Sequence, residues 1–338
     1  MKKRKLKDNF LQSRKIAIIR TDRIGDMVLT LPMCSAIREV LPEAKITIIA
    51  SQYVKELLDS CPVADDVFYC KNNYNTLLYY FKEQNFDAAF FPMPVYDEAK
   101  AAYKAGIPIR IGSAFRLYSY LYNYRIKEHR KISLYHEAEY NVRMLGYITD
   151  KWLKPKLVKP IESNYSKESI RELLKLNDFN EELKTVIIHP GSRGSSRDLS
   201  LNKFIELCNF LREGLKLNII ITGSRNEVII ANKIKESCIN IINLAGKTNL
   251  SELVYLFYLS DLMIANSTGV LHVAAACGLN VIGFYPNTSH ISSKRWGPYT
   301  EKAIIFSPPT SDNPNIRDNM ELIETENVYK KILSLFSM

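Results

Sequence analysis

The feature that most constrains the fold lies at residues 261–284. An apolar run at 261–265 is followed by a short polar turn, a helix rich in small residues, and a second apolar run at 279–284. Two strands joined through a helix run parallel in one sheet. The segment therefore predicts an α/β fold with a parallel sheet.

The polar turn at 267–269 is a candidate phosphate site. Backbone N–H groups at a helix N-terminus, with the positive end of the helix dipole, attract phosphate oxygens. Ser267 and Thr268 add hydroxyl donors, and Gly269 lets a ligand approach closely. An ordinary Ser/Thr cap on a buried helix explains the same residues. A histidine such as His272, taken by itself, is more often a hydrogen-bonded core residue than a ligand contact.

Strand and helix patterns alternate along the rest of the chain, which has 338 residues and therefore favours two α/β domains. The interval 149–166 carries two prolines and several lysines with little periodicity, and it predicts the linker. We predict an N-terminal Rossmann-like domain at 1–155 and a C-terminal one at 166–320. The helix at 321–338 either packs as core or packs back on the N-terminal domain.

The loop after the first strand, residues 20–26, is a second candidate site. It contains one glycine, lacks GxGxxG, and leads into a helical pattern at 27–40. Asp26 lies where a carboxylate at the end of a parallel strand can accept a proton from a substrate hydroxyl. A helix N-cap is the alternative role for Asp26.

The loop at 190–197 follows the first strand of the second half. Gly191 and Ser192 expose backbone N–H groups and Arg197 supplies a guanidinium, a combination that suits a diphosphate. A flexible loop of no special function has the same composition. Glu227, which opens a later helix, accepts ribose hydroxyls or simply complements the helix dipole.

Composition limits the kinds of partner that the protein is expected to bind. The 46 basic and 36 acidic residues give a net charge of +10, which favours an anionic partner. Tyrosine and basic residues crowd the segment 116–130, which is either a solvated hairpin or loop, or an acceptor-binding surface. The six separated cysteines, with no signal peptide and no membrane-spanning run, predict a cytoplasmic protein with reduced thiols.

Several motifs, in this order and spacing, together resemble glycosyltransferase family 9, the bacterial heptosyltransferases of lipopolysaccharide assembly. The resemblance covers nearly the whole chain. The motifs are RTDRIGD at 20–26 with Leu31 and Pro32, HPGS at 189–192, LAGKT at 244–248, NSTGVLH at 266–272 with the small residues that follow it, and RWGP at 295–298.

The resemblance implies the GT-B fold, in which two Rossmann-like domains face each other across a cleft. It also implies that the N-terminal domain binds the acceptor and that the C-terminal domain binds a nucleotide sugar. It implies inverting transfer with no metal and no cofactor, Asp26 as general base, and Thr268 and Gly269 at the diphosphate. The candidate donor-binding residues are Gly191, Ser192, Arg197, Glu227, Ser267, Thr268, Gly269 and His272. The candidate acceptor-binding residues are Arg23, Arg116, Arg125 and His136.

Two departures concern the donor. Ser267 stands where heptosyltransferases commonly carry Asp, and Leu199 and Ser200 replace a common Trp-Pro pair. We expect transfer of heptose from ADP-heptose to a lipopolysaccharide core or related glycan, by a cytoplasmic enzyme in peripheral contact with the anionic inner face of the membrane, with no nucleic acid partner. The alternatives are another nucleotide sugar, a nucleotide-sugar epimerase or hydrolase, and a non-catalytic basic binding protein of the same fold.

Overall fold

The structure, a computed structural model, describes residues 2–70, 73–192, 194 and 196–337. The chain divides into two compact units, Met1–Val158 and Lys159–Met338. Their boundary lies inside the interval 149–166 that the sequence predicts as a linker. Each unit contains a six-stranded sheet in which every neighbouring pair of strands is parallel.

The first unit has the strand order β3-β2-β1-β4-β5-β6. Its elements are α1 (Lys2–Phe10), β1 (Lys15–Ile19), α2 (Ile24–Val28), α3 (Pro32–Val40), β2 (Lys45–Ala50), α4 (Lys55–Asp59), β3 (Asp66–Tyr69), α5 (Tyr74–Gln84), β4 (Ala88–Phe90), α6 (Tyr96–Lys104), β5 (Ile109–Ser113), β6 (Tyr124–Ile126) and α7 (Glu137–Thr149). Short 3₁₀ turns lie at Gln52–Val54, Ser119–Leu121 and Arg130–Ile132.

The second unit has the strand order β12-β11-β10-β7-β8-β9. Its elements are α8 (Asn164–Lys175), β7 (Lys184–His189), α9 (Leu201–Gly214), β8 (Leu217–Ile221), α10 (Val228–Ser237), β9 (Ile242–Asn243), α11 (Leu250–Tyr258), β10 (Leu262–Asn266), α12 (Gly269–Ala276), β11 (Asn280–Phe284), α13 (Ser293–Trp296), β12 (Ala303–Phe306), α14 (Pro314–Arg317) and α15 (Thr325–Phe336). Short 3₁₀ turns lie at Arg225–Glu227, Ser289–Ile291 and Met320–Leu322.

The central strands explain why this sequence adopts this architecture. All five residues of β8 and of β10 are buried, and β1 buries all but its first residue. Strands of a parallel sheet are covered by helices on both faces, so they are apolar at nearly every position. The buried strands of the structure thus confirm the α/β class with parallel sheets that the apolar runs predict.

Three local predictions need correction. The helical pattern at 27–40 is two helices, because Pro32 cannot continue a helix and instead begins α3. The segment 116–130 is not a hairpin, since its strand β6 pairs in parallel with β5. The sequence also predicts a helix that begins at 136 and ends near Gly146, whereas α7 continues to Thr149; the missing side chain of Gly146 makes room for the Trp152 ring.

The last helix, α15, belongs to the second unit. Val328 and Ile332 are buried in that unit's core with Phe204 of α9. This placement agrees with the apolar spacing of the helix, which predicts that it packs as core. All six cysteines are buried and free.

Each strand order contains one switch point. In the first unit the order reverses between β1 and β4, and in the second between β7 and β10. In open parallel sheets, ligands bind outside the carboxyl ends of the strands at such points. We therefore expect a ligand site at the loops that follow β1, β4, β7 and β10.

Candidate functional site

The loop after β1 is organised around a buried arginine. Arg20 is only 2% exposed, and its guanidinium faces three carboxylates. Its Nε donates to Oδ1 of Asp22 at 2.7 Å, its Nη2 donates to Oδ1 of Asp26, and its Nη1 lies 3.7 Å from Oε1 of Glu137. Burial lowers the pKa of Arg20, but the three carboxylates more than reverse this effect, so its pKa is raised and it stays charged.

Asp26 lies within α2 and is not its cap. Arg23 occupies the N-cap position, and Asp26 is the third residue of the helix, so the N-cap hypothesis for Asp26 is wrong. The Asp26 side chain is 16% exposed. Its pKa is raised to about 6, chiefly by burial; Arg20 opposes the rise, and the neighbouring carboxylates add to it. A carboxylate with such a pKa is well suited to take a proton near neutral pH.

The surroundings of Arg20 extend into α7. Oε1 of Glu137 accepts a hydrogen bond from Arg130 at 2.5 Å, and Arg130 also donates to Asn141 at 2.8 Å. Asn141 is fully buried and donates to the carbonyl oxygen of Leu29 at 3.0 Å. A charged network therefore joins the end of α2 to α7 and holds the loop that carries Asp26 in place.

Glu98 is a site residue that the sequence analysis missed. It is 1% exposed in the first turn of α6, and its Oε1 accepts a hydrogen bond from the Thr21 hydroxyl at 2.5 Å. Its Oε2 is buried with no hydrogen-bond partner among the described residues. Burial raises the pKa of Glu98 to about 7. This contact joins the loops after β1 and β4 across the switch point.

In the second unit, Asn266 joins the loops after β7 and β10. It is fully buried at the end of β10. Its Oδ1 accepts from the Leu199 amide at 2.8 Å, and its Nδ2 donates to the Pro190 carbonyl at 2.7 Å. The sequence placed Asn266 in a motif but gave it no role. The structure shows that it fixes both ends of the loop 190–199.

Glu227 lies beside that loop, in a space that glycines provide. A Cβ at Gly191 would fall 1.8 Å from Oε1 of Glu227, and a Cβ at Gly223 would fall 3.2 Å from the Glu227 Cβ. Oε2 of Glu227 accepts from the Ser224 amide and hydroxyl, both at 2.7 Å. Glu227 therefore completes a capping box with Ser224 at the 3₁₀ turn, while its other oxygen faces the glycine loop.

A cavity of about 690 Å³ opens between these elements. Its lining includes Gly191, Ser192, Asp198 and Glu227. The Ser192 hydroxyl donates to Oδ2 of Asp198 at 2.7 Å, and burial raises the pKa of Asp198. Asp198 and Glu227 thus line the same cavity, although they are 29 positions apart in the sequence.

The turn between β10 and α12 has the predicted form. Thr268 is the N-cap residue of α12, has extended backbone, and makes no side-chain capping bond. Ser267 and Thr268 are largely buried, Gly269 is half-buried at the first helical position, and His272 is buried one turn further on. The helix N-terminus at Gly269 thus presents amide groups at the carboxyl end of β10, beside the loop fixed by Asn266.

The remaining predicted residues lie at varied positions. Arg197 is exposed after the glycine loop, while Arg193 and Ser195 of the same loop lie outside the described residues. Arg23, Arg116 and Arg125 are exposed on the first unit. His136 caps α7, with its Nδ1 accepting from the Ala138 amide at 3.2 Å. The ligand-binding roles of all these residues stay predictions.

No three or more His, Cys, Asp or Glu side chains among the described residues are grouped so as to hold a metal ion. None of the helices described has the length and apolar character that crossing a bilayer requires.

Two doubly wound six-stranded domains, with candidate sites at the carboxyl ends of their strands, define the GT-B class of fold. The family model "Glycosyltransferase family 9 (heptosyltransferase)" matches residues 82–323. The chain therefore belongs to glycosyltransferase family 9, and it is a glycosyltransferase enzyme.

Individual similar proteins are consistent with this family assignment. A Haemophilus influenzae protein that bears the name of a glycosyltransferase is 30% identical over 339 residues, covering 95% of this chain and 96% of the relative. The lipopolysaccharide core heptosyltransferase OpsX of the same organism is 25% identical and covers 87% of this chain and 84% of its own. The structure of the E. coli ADP-heptose lipopolysaccharide heptosyltransferase II has a TM-score of 0.77 at 20% identity, covering 95% and 98% of the two chains.

Proposed function

We propose that this glycosyltransferase transfers heptose from ADP-heptose to a lipopolysaccharide core or related glycan, with inversion at the anomeric carbon and without a metal ion. The observation that carries the proposal is Asp26, a partly exposed carboxylate at the carboxyl end of β1 with its pKa raised to about 6. The family and the names of the relatives support the sugar and the acceptor.

Asp26 is the proposed general base. Arg20 fixes the orientation of the carboxylate through Oδ1, and the raised pKa makes Asp26 a stronger base than an ordinary aspartate. Asp22 and Glu137 already share the same guanidinium, so a proton taken by Asp26 relieves repulsion among three carboxylates.

The donor is proposed to occupy the second unit. Amide groups at the start of α12, with the side chains of Ser267 and Thr268, would receive the diphosphate. Arg197, exposed and without an acidic partner among the described residues, would add positive charge. Glu227, beside the cavity of about 690 Å³, would accept the ribose hydroxyls, and His272 would lie behind the phosphate turn.

The proposed reaction is a single displacement. The acceptor hydroxyl oxygen forms a bond to the anomeric carbon from the face opposite the leaving group, and its proton passes to Asp26. The bond between that carbon and the diphosphate oxygen breaks, and the nucleoside diphosphate leaves with the electron pair. Attack from the opposite face inverts the anomeric centre. Fixed amides and Arg197 stabilise the negative charge that develops on the diphosphate.

The acceptor is proposed to bind the first unit, near Arg23, Arg116, Arg125 and His136. Exposed guanidinium groups suit the phosphates of a lipid-linked oligosaccharide. Such an acceptor is anchored in a membrane, so we propose a cytoplasmic enzyme in peripheral contact with the anionic inner leaflet.

The test of the base is Asp26→Asn, with Asp22→Asn as the matched control. Both changes remove one carboxylate from Arg20, but only the first removes the proposed proton acceptor. We expect Asp26→Asn to lower kcat by about 10²-fold or more, and Asp22→Asn to lower it far less. Equal turnover in wild type and Asp26→Asn would exclude Asp26 as the base.

The donor and the mechanism are tested separately. In a thermal-shift comparison, we expect ADP to raise the melting temperature more than GDP or UDP, because a ligand bound only by the folded state stabilises it. Glu227→Gln should reduce that shift. Proton NMR of the product should show the inverted anomer, and EDTA should leave the rate unchanged. Consumption of donor without acceptor would instead favour an epimerase or hydrolase.

A further inference from the structure

Five exposed apolar side chains are concentrated in twenty residues of the first unit. They are Phe115, Leu117, Tyr120, Ile132 and Leu134. Leu117 is 101% exposed, so no part of the described chain covers it. A soluble monomer exposes single apolar residues commonly, but a concentration of them in one region marks an interaction site. We call these residues and the basic residues among them the 115–134 surface.

The two segments of this surface lie close together. They follow the neighbouring strands β5 and β6, and the Ala114 amide donates to the Ile126 carbonyl at 2.9 Å. The Phe115 ring contacts the His129 ring edge-on, with 4.9 Å between the ring centres. Phe115 and Leu117 therefore come from a loop that packs beside the segment carrying Ile132.

The charge of the surface is strongly positive. Five basic residues, Arg116, Arg125, Lys127, Arg130 and Lys131, lie within it against one acidic residue, Glu128. Glu128 is already paired with Arg143 at 2.7 Å, so its charge is compensated. Arg116, Arg125, Lys127 and Lys131 are exposed, which leaves their charges available to an anionic partner.

We propose that the 115–134 surface docks on an anionic lipid membrane. Aliphatic and aromatic side chains enter the boundary between headgroups and acyl chains, while lysine and arginine meet the lipid phosphates. A soluble polyanion would use the basic residues but would give the exposed Leu117 and Ile132 nothing to contact. The combination of apolar and basic side chains therefore favours a lipid surface.

The surface lies at the same sheet edge as the proposed base. The loops after β5 and β6 leave from the carboxyl ends of the strands, as does the loop after β1 that carries Asp26. Three strand spacings separate β1 from β6, or about 14 Å. This part of the inference rests on the proposed function, because it places Asp26 within reach of an acceptor held in the membrane.

The test is binding to vesicles. We expect the full chain to co-sediment with vesicles of phosphatidylethanolamine and phosphatidylglycerol, and to bind phosphatidylcholine vesicles much less. The variant Leu117→Ser with Lys131→Ser should lower the partition onto the anionic vesicles on the order of 10-fold. The matched control, Ile239→Ser with Lys235→Ser, changes exposed residues of the second unit and should lower it less than about 2-fold.

Three outcomes would overturn the proposal: no binding to anionic vesicles, equal binding to phosphatidylcholine, or equal losses in the two double variants. Binding to a soluble phosphorylated oligosaccharide without vesicle binding would also overturn it and would assign the surface to the acceptor. The thermal shift with ADP reports the proposed function separately. A chain that binds vesicles but no nucleotide would contradict the proposed function while leaving the docking surface intact.

Discussion

Replacing Asp26 with asparagine should stabilise the protein while abolishing transfer. Asparagine has nearly the same shape as a protonated aspartate, and its Oδ1 can still accept from Nη2 of Arg20. Arg20 keeps Asp22 and Glu137 as partners, so its buried charge remains compensated. The variant therefore removes mainly the energetic penalty of ionising Asp26 in a buried site.

The size and sign of this effect follow from the pKa of Asp26. Its folded-state pKa of about 6 lies above the ordinary value of 3.8, so the folded state binds the proton more tightly than the unfolded state. Stability is therefore lost as the pH rises from 3.8 to 6, and the loss is constant above that. The difference corresponds to about 3 kcal/mol at pH 7 and less than about 1 kcal/mol at pH 4.

The assay compares the melting temperatures of wild type and Asp26→Asn between pH 4 and pH 8. About 2 °C or more per kcal/mol is expected for a domain of this size, so the variant should melt about 6 °C higher at pH 7. The advantage should shrink toward pH 4. Groups unaffected by the substitution titrate equally in both proteins and cancel in the difference.

The reasoning would be refuted by a difference in melting temperature that is independent of pH. It would also fail if wild type were the more stable protein at pH 8, because Asp26 would then be stabilised as a carboxylate. Asp22→Asn is the control for the loss of a partner from Arg20. We expect no comparable gain from that variant, since the Asp22 carboxylate is more exposed to water than that of Asp26.

The remaining predictions concern the contacts that hold the loops. Glu98→Gln keeps an acceptor for the Thr21 hydroxyl and should melt above wild type by a margin that grows from pH 4.5 to pH 7, because the Glu98 pKa is raised from 4.5 to about 7; a flat margin would contradict this. Asn266→Ala leaves two buried backbone groups unpaired and should reduce the free energy of unfolding by about 2–5 kcal/mol, measured by denaturant unfolding. Gly191→Ala places a Cβ 1.8 Å from Oε1 of Glu227, so we expect a folded protein with ADP affinity reduced about 10-fold or more, measured by calorimetry; unchanged affinity would separate Glu227 from the nucleotide.

Much of the architecture could be predicted from the sequence because the signals are local. The sequence predicts a helix from Tyr74 to Gln84 and a capping box of Asn249 with Glu252, and the structure has both. A run of apolar residues identifies a buried parallel strand without information from elsewhere in the chain. The same local patterns place Asp26 soon after the first strand, although the structure shows it inside α2 and not in the loop.

The polar contacts of the site could not be predicted, because they depend on strand order. Thr21 and Glu98 are 77 positions apart, and Leu199 and Asn266 are 67 apart. In the sequence, Glu98 has the appearance of an ordinary acid in the first turn of a helix, and only its burial distinguishes it. The tyrosine-rich segment suggested a hairpin, since alternating residues indicate a strand but do not show which strand lies beside it.

The two switch points are held together in the same way, but by side chains of different chemistry. At each one, a single buried side chain joins the two loops that flank the crevice: Glu98 through Thr21 in the first unit, and Asn266 through two backbone groups in the second. The amide of Asn266 does not titrate, so its bonds to Leu199 and Pro190 persist at any pH where the unit is folded. Glu98, with a pKa of about 7, gains or loses a proton in the same range as Asp26, at about 6. We therefore expect the geometry around the proposed base to change with pH, and the geometry of the phosphate turn to stay the same.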